Sequence, residues 1–584
     1  MGFWHERFPD RYQREQDSLI SLGVKFEIDN QLLKGGVISF DCELPAGGKL
    51  NLDEPLKLKV VYPDLYPFFR PDVLAPDLDL PRHQNPHGKN LCLLPRDTTA
   101  WELDWTIGDL LSSQLKKVLI KGIVTDPNEL KEDVEEQAEP VSEYYGNLEF
   151  VALFDTSIFK NLDPYNDEAV FLGRIKIGLP NKASFPSSLA VLKLTNPDDG
   201  VSLAPKIVSQ NYPRNFEGFL YFIPEFISPY DSQFEHKLLA AIKSSGRPFS
   251  APGLSLKMEN KFELTGVIGL AFPEEIAPGV KGVGWMFVCL CRKNKKAGTF
   301  PLKVLNLNSS GKETRVPKVR PLAGKTVSII GLGAIGAPAA IELAKNGVSK
   351  LKLLDFDFLD PGNTIRWPIG LSEAGEKKTI ALANFIQNNY PSTQVEVFNL
   401  RLGEPSNGSV ESQAEVLKRV LKDTSLILDS SVEGGIHSLV DYESKRTNIP
   451  YIIISATTGG FGGVVMRRIP DITQGCHVCL QFWFEDKEHP INFPPEDKTG
   501  KAQIAGCGDI TFTGSSFDLA EISLAAVRMA VSALCYSEES GYNLLPHDVG
   551  ILSLVDENGL FDYPKWEMFK LEKHPNCRSC NPPV

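Results

Sequence analysis

The sequence predicts a multidomain α/β protein, and three observations predict it. The chain has 584 residues, more than one hydrophobic core normally serves, so several domains are expected. Residues 326–354 run strand, glycine-rich turn, helix, strand, the order of a parallel α/β unit. Residues 1–130 instead read helix, strands and helix, and residues 146–315 alternate short β-rich runs with turns rich in Pro, Asn and Asp. Hydrophobic residues at 42% and charged residues at 23% place the chain among ordinary globular proteins. A net charge of −13 argues against general nucleic-acid binding, which needs a basic surface. No uncharged apolar run reaches the roughly 18 residues of a membrane span. Residues 1–7 lack the apolar core of a signal peptide, and a cytoplasmic protein is expected. Ten cysteines over this length make no disulfide framework and point to thiol and metal chemistry in a reducing compartment.

In residues 1–130, Phe8, Tyr12, Leu19 and Ile20 among charged residues predict an amphipathic helix, with strands at 24–28, 37–40 and 56–61. Pro63, Pro67 and Pro71 around Tyr62 and Tyr66 then interrupt regular structure, because proline removes a donor and restricts its predecessor. His83, Asn85, His87 and Asn90 lead to Cys92, and Trp101 and Trp105 precede a second helix. This order resembles a ubiquitin-conjugating enzyme over nearly the whole region, which implies an α+β ubiquitin-conjugating-like fold. By that resemblance Cys92 carries a thioester. Asn85 then steadies the oxyanion when an amine attacks, stabilising charge that develops only as the tetrahedral intermediate forms. The family's His-Pro-Asn reads here as His83, Gln84 and Asn85, and the gap to the cysteine is shorter, so His87 and Asn90 stay as alternatives.

Residues 131–315 comprise the end of an acidic run and a β-rich middle domain. The run, between about residues 128 and 145, reads as a solvated linker. Strands are expected at 150–154, 169–175, 189–194, 216–223 and 283–291. Cys289 and Cys291 share one face of the last, and their two-residue spacing suits core packing better than a zinc knuckle. No catalytic constellation stands out, and the domain is expected to orient its neighbours.

Residues 316–584 carry the strongest motifs. An apolar strand at 326–330 leads into Gly331, Gly333 and Gly336, and a helix over 337–346 stops at Gly347. A second strand at 351–354 ends at Asp355 and Asp357, about 20 residues past the glycines, where a dinucleotide fingerprint places an acid for a ribose hydroxyl. Such a turn aims backbone N–H groups and a helix N-terminus at a phosphate. Alone it fits NAD, FAD and other nucleotides alike. Asn363, Arg366 and Lys378 narrow the choice. Hydride transfer has no use for them, whereas ATP cleavage needs cations to hold the triphosphate and neutralise charge as pyrophosphate leaves. The set resembles the adenylation domain of ubiquitin-activating enzymes and their ThiF-type bacterial relatives, over roughly residues 320–580. That resemblance implies a Rossmann-like domain using ATP and Mg2+, with Asp355 or Asp357 on the ribose and Asn363, Arg366 and Lys378 on the phosphates. The family's magnesium-associated Asp falls here on Val432, and Asp429 or Glu433 is its substitute.

Cys476, Cys479, Cys577 and Cys580 form two C-x2-C pairs, and four thiolates suit a closed tetrahedral structural zinc. The ThiF family splits its zinc cysteines in the same way. A redox role is the alternative, but neither pair is expected to open a helix in a thioredoxin-like setting. Between the pairs, Cys507 lies beside Gly506 and Gly508, with Asp509, Thr511 and Thr513 as polar neighbours. The resemblance implies that Cys507 takes the activated carboxyl from AMP as a thioester. Cys535, in an apolar run, reads as buried.

An activating and a conjugating module in one chain resembles the bacterial fusions of cyclic-oligonucleotide-based antiphage signalling (CBASS) operons. The resemblance implies ATP-dependent activation of the C-terminus of a ubiquitin-like or cGAS-like nucleotidyltransferase protein, transfer from Cys507 to Cys92, and conjugation to a target amine. It also implies a homodimer, with no direct nucleic-acid or membrane contact. Two other classes stay open. An activator of sulfur-carrier proteins for cofactor biosynthesis has no use for Cys92, and a non-catalytic scaffold would explain Val432 as a decayed metal site.

Overall fold

The computed structural model describes residues 3–94, 100–126, 129–130, 138–145, 150–180, 188–195, 200–246, 256–258, 262–293, 296–307, 315–405, 411–489, 491–498, 513–538 and 541–581. The chain divides into two compact units, Met1–Asn308 and Ser309–Val584.

In the first unit, the helix Pro9–Ser21 turns Arg11, Glu15 and Leu19 inward. It accompanies an antiparallel sheet of β1 (Lys25–Ile28), β2 (Ser39–Leu44), β3 (Leu56–Val61) and β4 (Asp72–Leu74), in that order. β2 buries Phe40, Cys42 and Leu44 and exposes Asp41 and Glu43, the alternation of a sheet with one solvated face. Glu15 joins three segments. Its fully buried carboxylate accepts hydrogen bonds from the Tyr62 hydroxyl at 3.0 Å, the Ile107 backbone N–H at 2.8 Å and the Tyr66 hydroxyl, with Arg11 at 2.9 Å as counter-charge. Such pairing is what makes a buried charge tolerable. It fixes the Tyr-Pro turn against the helical segment that starts at Ile107, capped by Thr106 and Asp109.

The rest of this unit is β-rich, as expected. Its sheet comprises β5 (Val151–Phe154), β6 (Val170–Leu179), β7 (Ser188–Thr195), β8 (Gly200–Ser202), β9 (Arg214–Phe222), β10 (Leu256–Met258), β11 (Phe262–Ala277), β12 (Val280–Lys293) and β13 (Lys296–Asn306). The order is β10-β11-β12-β13-β5-β7-β6-β9, and a further pairing of β9 with β11 closes the path into a ring. Closure leaves no edge along that ring for unwanted pairing. Phe154, Ile175, Leu220 and Phe287 pack within one core, joined by Cys289, and the helix Phe234–Ser244 packs on a second with Tyr221, Ile268 and Phe272. Cys291 is buried as well.

The second unit is built on one eight-stranded sheet. Its strands are β14 (Thr326–Ile330), β15 (Lys350–Leu354), β16 (Gln394–Phe398), β17 (Leu426–Asp429), β18 (Tyr451–Ala456), β19 (Gly462–Arg468), β20 (Val549–Val555) and β21 (Phe561–Phe569). The order is β16-β15-β14-β17-β18-β19-β20-β21. The run from β16 to β18 is parallel and the rest antiparallel. Strand order therefore reverses between β14 and β17, and ligands of doubly wound sheets bind at the carboxyl ends beside that point. The helices Gly336–Lys345 and Ser516–Cys535 pack in one core with β14 and β18. Cys535 is buried there, as its apolar surroundings predict.

Candidate active site

At the β14/β17 crossover, a cavity of about 610 Å³ is lined by Gly331, Gly333, Asp355, Asp357, Lys378 and Glu433, among others. The three glycines have distinct reasons to be glycine. Gly331 holds φ +86°, and a Cβ there would meet the Ser430 and Ser431 backbone at 2.8 Å. A Cβ on Gly336 would lie 2.1 Å from the Gly331 carbonyl oxygen. Gly333 faces open space, with nothing within 4 Å of a Cβ, and it lines the cavity. A bare backbone bordering an open cavity is the cradle a pyrophosphate requires.

The acids divide into those that shape the loop and those that face the cavity. Asp355 accepts hydrogen bonds from the Leu332 N–H at 2.6 Å and the Asp357 N–H at 2.8 Å. Trp367 donates its indole N–H to the Leu332 carbonyl at 2.8 Å, so the turn is held from two sides. Asp357 pairs with Lys378, the first residue of the helix Lys378–Asn389. Asp429 is fully buried and accepts from the Ser431 N–H at 3.0 Å and hydroxyl at 2.7 Å, with the His437 ring at 2.8 Å. Of the two carboxylates expected to replace the missing metal ligand, Glu433 lines the cavity and Asp429 does not. Val432, between them, holds φ 60°, a strained conformation for a β-branched residue. Asn363 and Arg366 sit on and after the 3-10 turn Pro361–Ile365, next to Trp367, outside the lining of this cavity. Arg401 does line it, and no motif pointed there. The available signal was position, since Arg401 follows β16 at the carboxyl end of the parallel sheet.

Elsewhere in the same unit, the sulfur atoms of Cys476, Cys479, Cys577 and Cys580 all lie within 4.8 Å of one another. Cys476 is 3.8 Å from Cys479 and 3.7 Å from Cys577. A tetrahedral ion with bonds of about 2.3 Å to sulfur holds its ligands about 3.8 Å apart, whereas a disulfide needs about 2 Å. The chemistry and spacing of this set fit zinc. The contact with Cys479 holds the Cys476 thiol well below the ordinary cysteine range, so a thiolate is favoured at that position. One expectation is corrected: Cys476 does cap a helix, His477–Glu485. Cys577 nonetheless stands as near to it as Cys479 does, which is a four-ligand arrangement rather than a redox pair. Cys507 lies outside the described residues.

In the first unit, a cavity of about 680 Å³ is lined by Cys92 together with His83, Asn85, Asn90 and Glu139, among others. Gln84 pairs with Leu91 in an antiparallel bridge. The Cys92 N–H donates to the His83 carbonyl at 2.7 Å and the Asn85 N–H to that of Asn90 at 2.8 Å. This register sets His83 opposite Cys92 and Asn85 opposite Asn90, and all four line the cavity. The Cys92 thiol is exposed. Asn85 uses its side-chain oxygen to accept from the N–H groups of His87 at 2.9 Å and Gly88 at 3.0 Å, which stiffens the turn. His87 is not among the residues lining the cavity. Its ring contacts those of Tyr145 at 4.0 Å and Tyr230 at 4.9 Å.

A ThiF family model matches residues 310–578, and a prokaryotic E2 family B model matches residues 45–154. The chain is similar to the protein y4oA of Sinorhizobium fredii (strain NBRC 101917 / NGR234), 30% identical over 600 residues that cover 99% of this chain and 97% of that protein. It is similar to the sulfur carrier protein ThiS adenylyltransferase of Escherichia coli (strain K12), 30% identical over 187 residues, 32% of this chain and 66% of that one. It is also similar to the ATP-dependent ubiquitin transferase-like protein Cap2 of Enterobacter hormaechei subsp. hoffmannii (strain UCI 50), 27% identical over 137 residues, 23% of this chain and 22% of that one. The parallel sheet with its glycine turn, taken with these matches, defines a ThiF-type protein. In particular, the chain belongs to the family of bacterial fusions that join a prokaryotic E2-type segment to a ThiF-type domain, and it shares that family with y4oA.

Proposed function

We propose that this chain is an ATP-dependent enzyme of the ubiquitin-activating and ubiquitin-conjugating type. The observation that carries the reading is the presence in one chain of a phosphate cradle at a strand crossover and an exposed thiol that shares a cavity with Asn85. The C-terminal carboxylate of a partner protein attacks the α-phosphorus of ATP, and the bond to pyrophosphate breaks. Lys378, in the cavity lining, holds the phosphates and neutralises the leaving charge, and Arg366 joins it by reaching in from outside that lining when ATP binds. With Asp355 engaged in shaping the glycine turn, Asp357 is the acid for the ribose. The Cys507 thiolate attacks the acyl carbon of the mixed anhydride and AMP leaves. Cys92 then accepts the acyl group by thiol exchange, and an amine displaces it while the Asn85 side-chain amide stabilises the oxyanion.

Glu433, which lines the cavity, would hold Mg2+, which would offset phosphate charge. The four clustered cysteines would hold a structural zinc. The partner is a ubiquitin-like or cGAS-like nucleotidyltransferase protein, and the enzyme works as a cytoplasmic homodimer in antiphage conjugation; similarity to the ATP-dependent ubiquitin transferase-like protein Cap2 supports the conjugating part of this reading alone. No described helix is long and apolar enough to cross a membrane. Activation of a sulfur-carrier protein is the second reading, favoured by similarity to the ThiS adenylyltransferase. It leaves the Cys92 cavity without a task.

The test is mass spectrometry of the chain incubated with ATP, Mg2+ and its genomic neighbours, comparing wild type with Cys507→Ala and Cys92→Ala. The relay predicts a reductant-sensitive adduct that persists on Cys507 when Cys92 is lost and vanishes from both sites when Cys507 is lost. Absence of any adduct, despite ATP binding, would refute it.

A further inference from the structure

The segment 138–145 does not behave as linker. The Glu139 side chain is 8% exposed and accepts from the His83 backbone N–H at 3.3 Å, with the His83 ring nitrogen Nδ1 at 3.8 Å. Both contacts fall on Oε1, which leaves Oε2 without a hydrogen bond among the described residues. His83 is the cross-strand neighbour of Cys92, so a carboxylate from outside the thiol's own loop is brought to the thiol's cavity.

The tip of the β11–β12 hairpin positions it. Glu275 accepts from the Glu139 N–H at 2.8 Å and from Arg82 at 2.8 and 2.9 Å. Glu274 accepts from the Ser142 N–H and hydroxyl, each at 2.9 Å. Arg82 is the residue before His83, so Glu275, paired with Arg82 and bonded to the Glu139 N–H, couples the hairpin, the segment 138–145 and the Cys92 loop. Burial raises the Glu139 carboxyl above the ordinary range, reinforced by Glu275 and opposed by the hydrogen bond from His83 and the charge of Arg82. A carboxylate in that setting is a stronger base than one in water.

Resting on the reading of Cys92 as an acyl carrier, we infer that Glu139 is the proton acceptor for amine attack on the Cys92 thioester, held there by the middle sheet. The amine nitrogen bonds to the acyl carbon, and its proton passes to the Glu139 carboxylate. The carbon–sulfur bond breaks, and its electron pair leaves on the Cys92 sulfur. The proton then passes from Glu139 to the thiolate or to water. The middle domain thereby gains a catalytic purpose: its hairpin completes the acceptor side of the cavity.

The full-length chain is loaded with the mercaptoethanesulfonate thioester of a short fluorescent peptide ending in glycine, and the Cys92 adduct is located by digestion and mass spectrometry. Discharge is then timed with free lysine and with hydroxylamine at neutral pH. Hydroxylamine is already neutral there and has less need of a base. Expected for Glu139→Gln is wild-type loading, lysine discharge slowed roughly 100-fold, and hydroxylamine discharge unchanged, with Glu139→Asp recovering part of the lysine rate. Unchanged lysine discharge in Glu139→Gln overturns the assignment. Equal slowing with both nucleophiles also overturns it, because it marks a role in shape alone. If Glu139→Gln does not load, Glu139→Asp decides: lysine discharge slowed more than hydroxylamine discharge upholds the assignment, and any other ratio overturns it. A wild-type Cys92 that takes no acyl group from the probe overturns the acyl-carrier reading itself, and this inference with it.

Discussion

Gly333 and Gly336 stand three residues apart and answer to different forces. A methyl group on Gly336 has nowhere to go, because the Gly331 carbonyl oxygen and the Ser430 hydroxyl lie 2.1 and 2.2 Å from its Cβ position. Gly336→Ala is therefore expected to cost about 1–3 kcal/mol of stability through overpacking, read as a lower denaturation midpoint. Gly333→Ala meets no protein atom within 4 Å and should leave the midpoint unchanged. Its methyl enters the space a phosphate would occupy, so ATP affinity should fall roughly tenfold, about 1.4 kcal/mol. Equal loss of ATP affinity and stability in both variants would contradict the cradle. Lys378 supplies the second expectation at this scale. Its ammonium lies beside Asp357 at the cavity, where removing a charge that stabilises departing pyrophosphate costs roughly 10²–10³ in rate. Lys378→Ala should thus depress exchange of labelled pyrophosphate into ATP by that factor while ATP binding weakens far less. Wild-type exchange would remove Lys378 from the phosphate site.

The second unit ends in a clamp of two elements. Cys476 and Cys479 belong to the start of the helix His477–Glu485, and Cys577 and Cys580 lie beyond β21. A metal bound by all four joins sequence positions about a hundred residues apart, so its loss should act on stability first. Cys577→Ser is expected to release the zinc measured by elemental analysis. A loss of about 3 kcal/mol would lower the melting midpoint by roughly 6–12 °C. Full zinc content in Cys577→Ser would exclude the four-ligand site. The cysteine pairs were legible in sequence because metal ligands recur at fixed spacing, and β14 was legible because a buried parallel strand is a continuous apolar run. What escaped depended on distant partners. Glu139 sits in an acidic run that reads as solvated, and its burial is made tolerable by His83 and Arg82, far off in sequence, while Glu275 anchors its backbone N–H. The ring closed by β9 and β11 is a non-local pairing that no local pattern announces. Arg401 lacks a motif because its placement comes from strand order, not from its neighbours in the chain.

At the scale of the whole molecule, the hydrophobic clusters respect the division into units. Those around Phe40 and Phe287 fall within Met1–Asn308, and those around Ile329 and Ile453 within Ser309–Val584. Each unit thus has the apolar interior that independent folding requires. In the proposed relay, the covalent connection would serve kinetics rather than folding. Two sites tethered in one chain meet at an effective concentration on the order of millimolar, far above that of separate proteins at micromolar levels. If acyl transfer from Cys507 to Cys92 relies on that tether, fragments 1–308 and 309–584 expressed separately should each unfold cooperatively. Pyrophosphate exchange should stay with 309–584 at the rate of the intact chain. Loading of Cys92 in trans at about 1 µM should be slower by roughly 10²–10³-fold and should recover as the fragments approach millimolar concentration. Rates are measured by the appearance of reductant-sensitive adduct on the first fragment. Transfer at micromolar fragment concentration that matches the intact chain would mean that a specific docking surface, and not the shared backbone, brings the two thiols together.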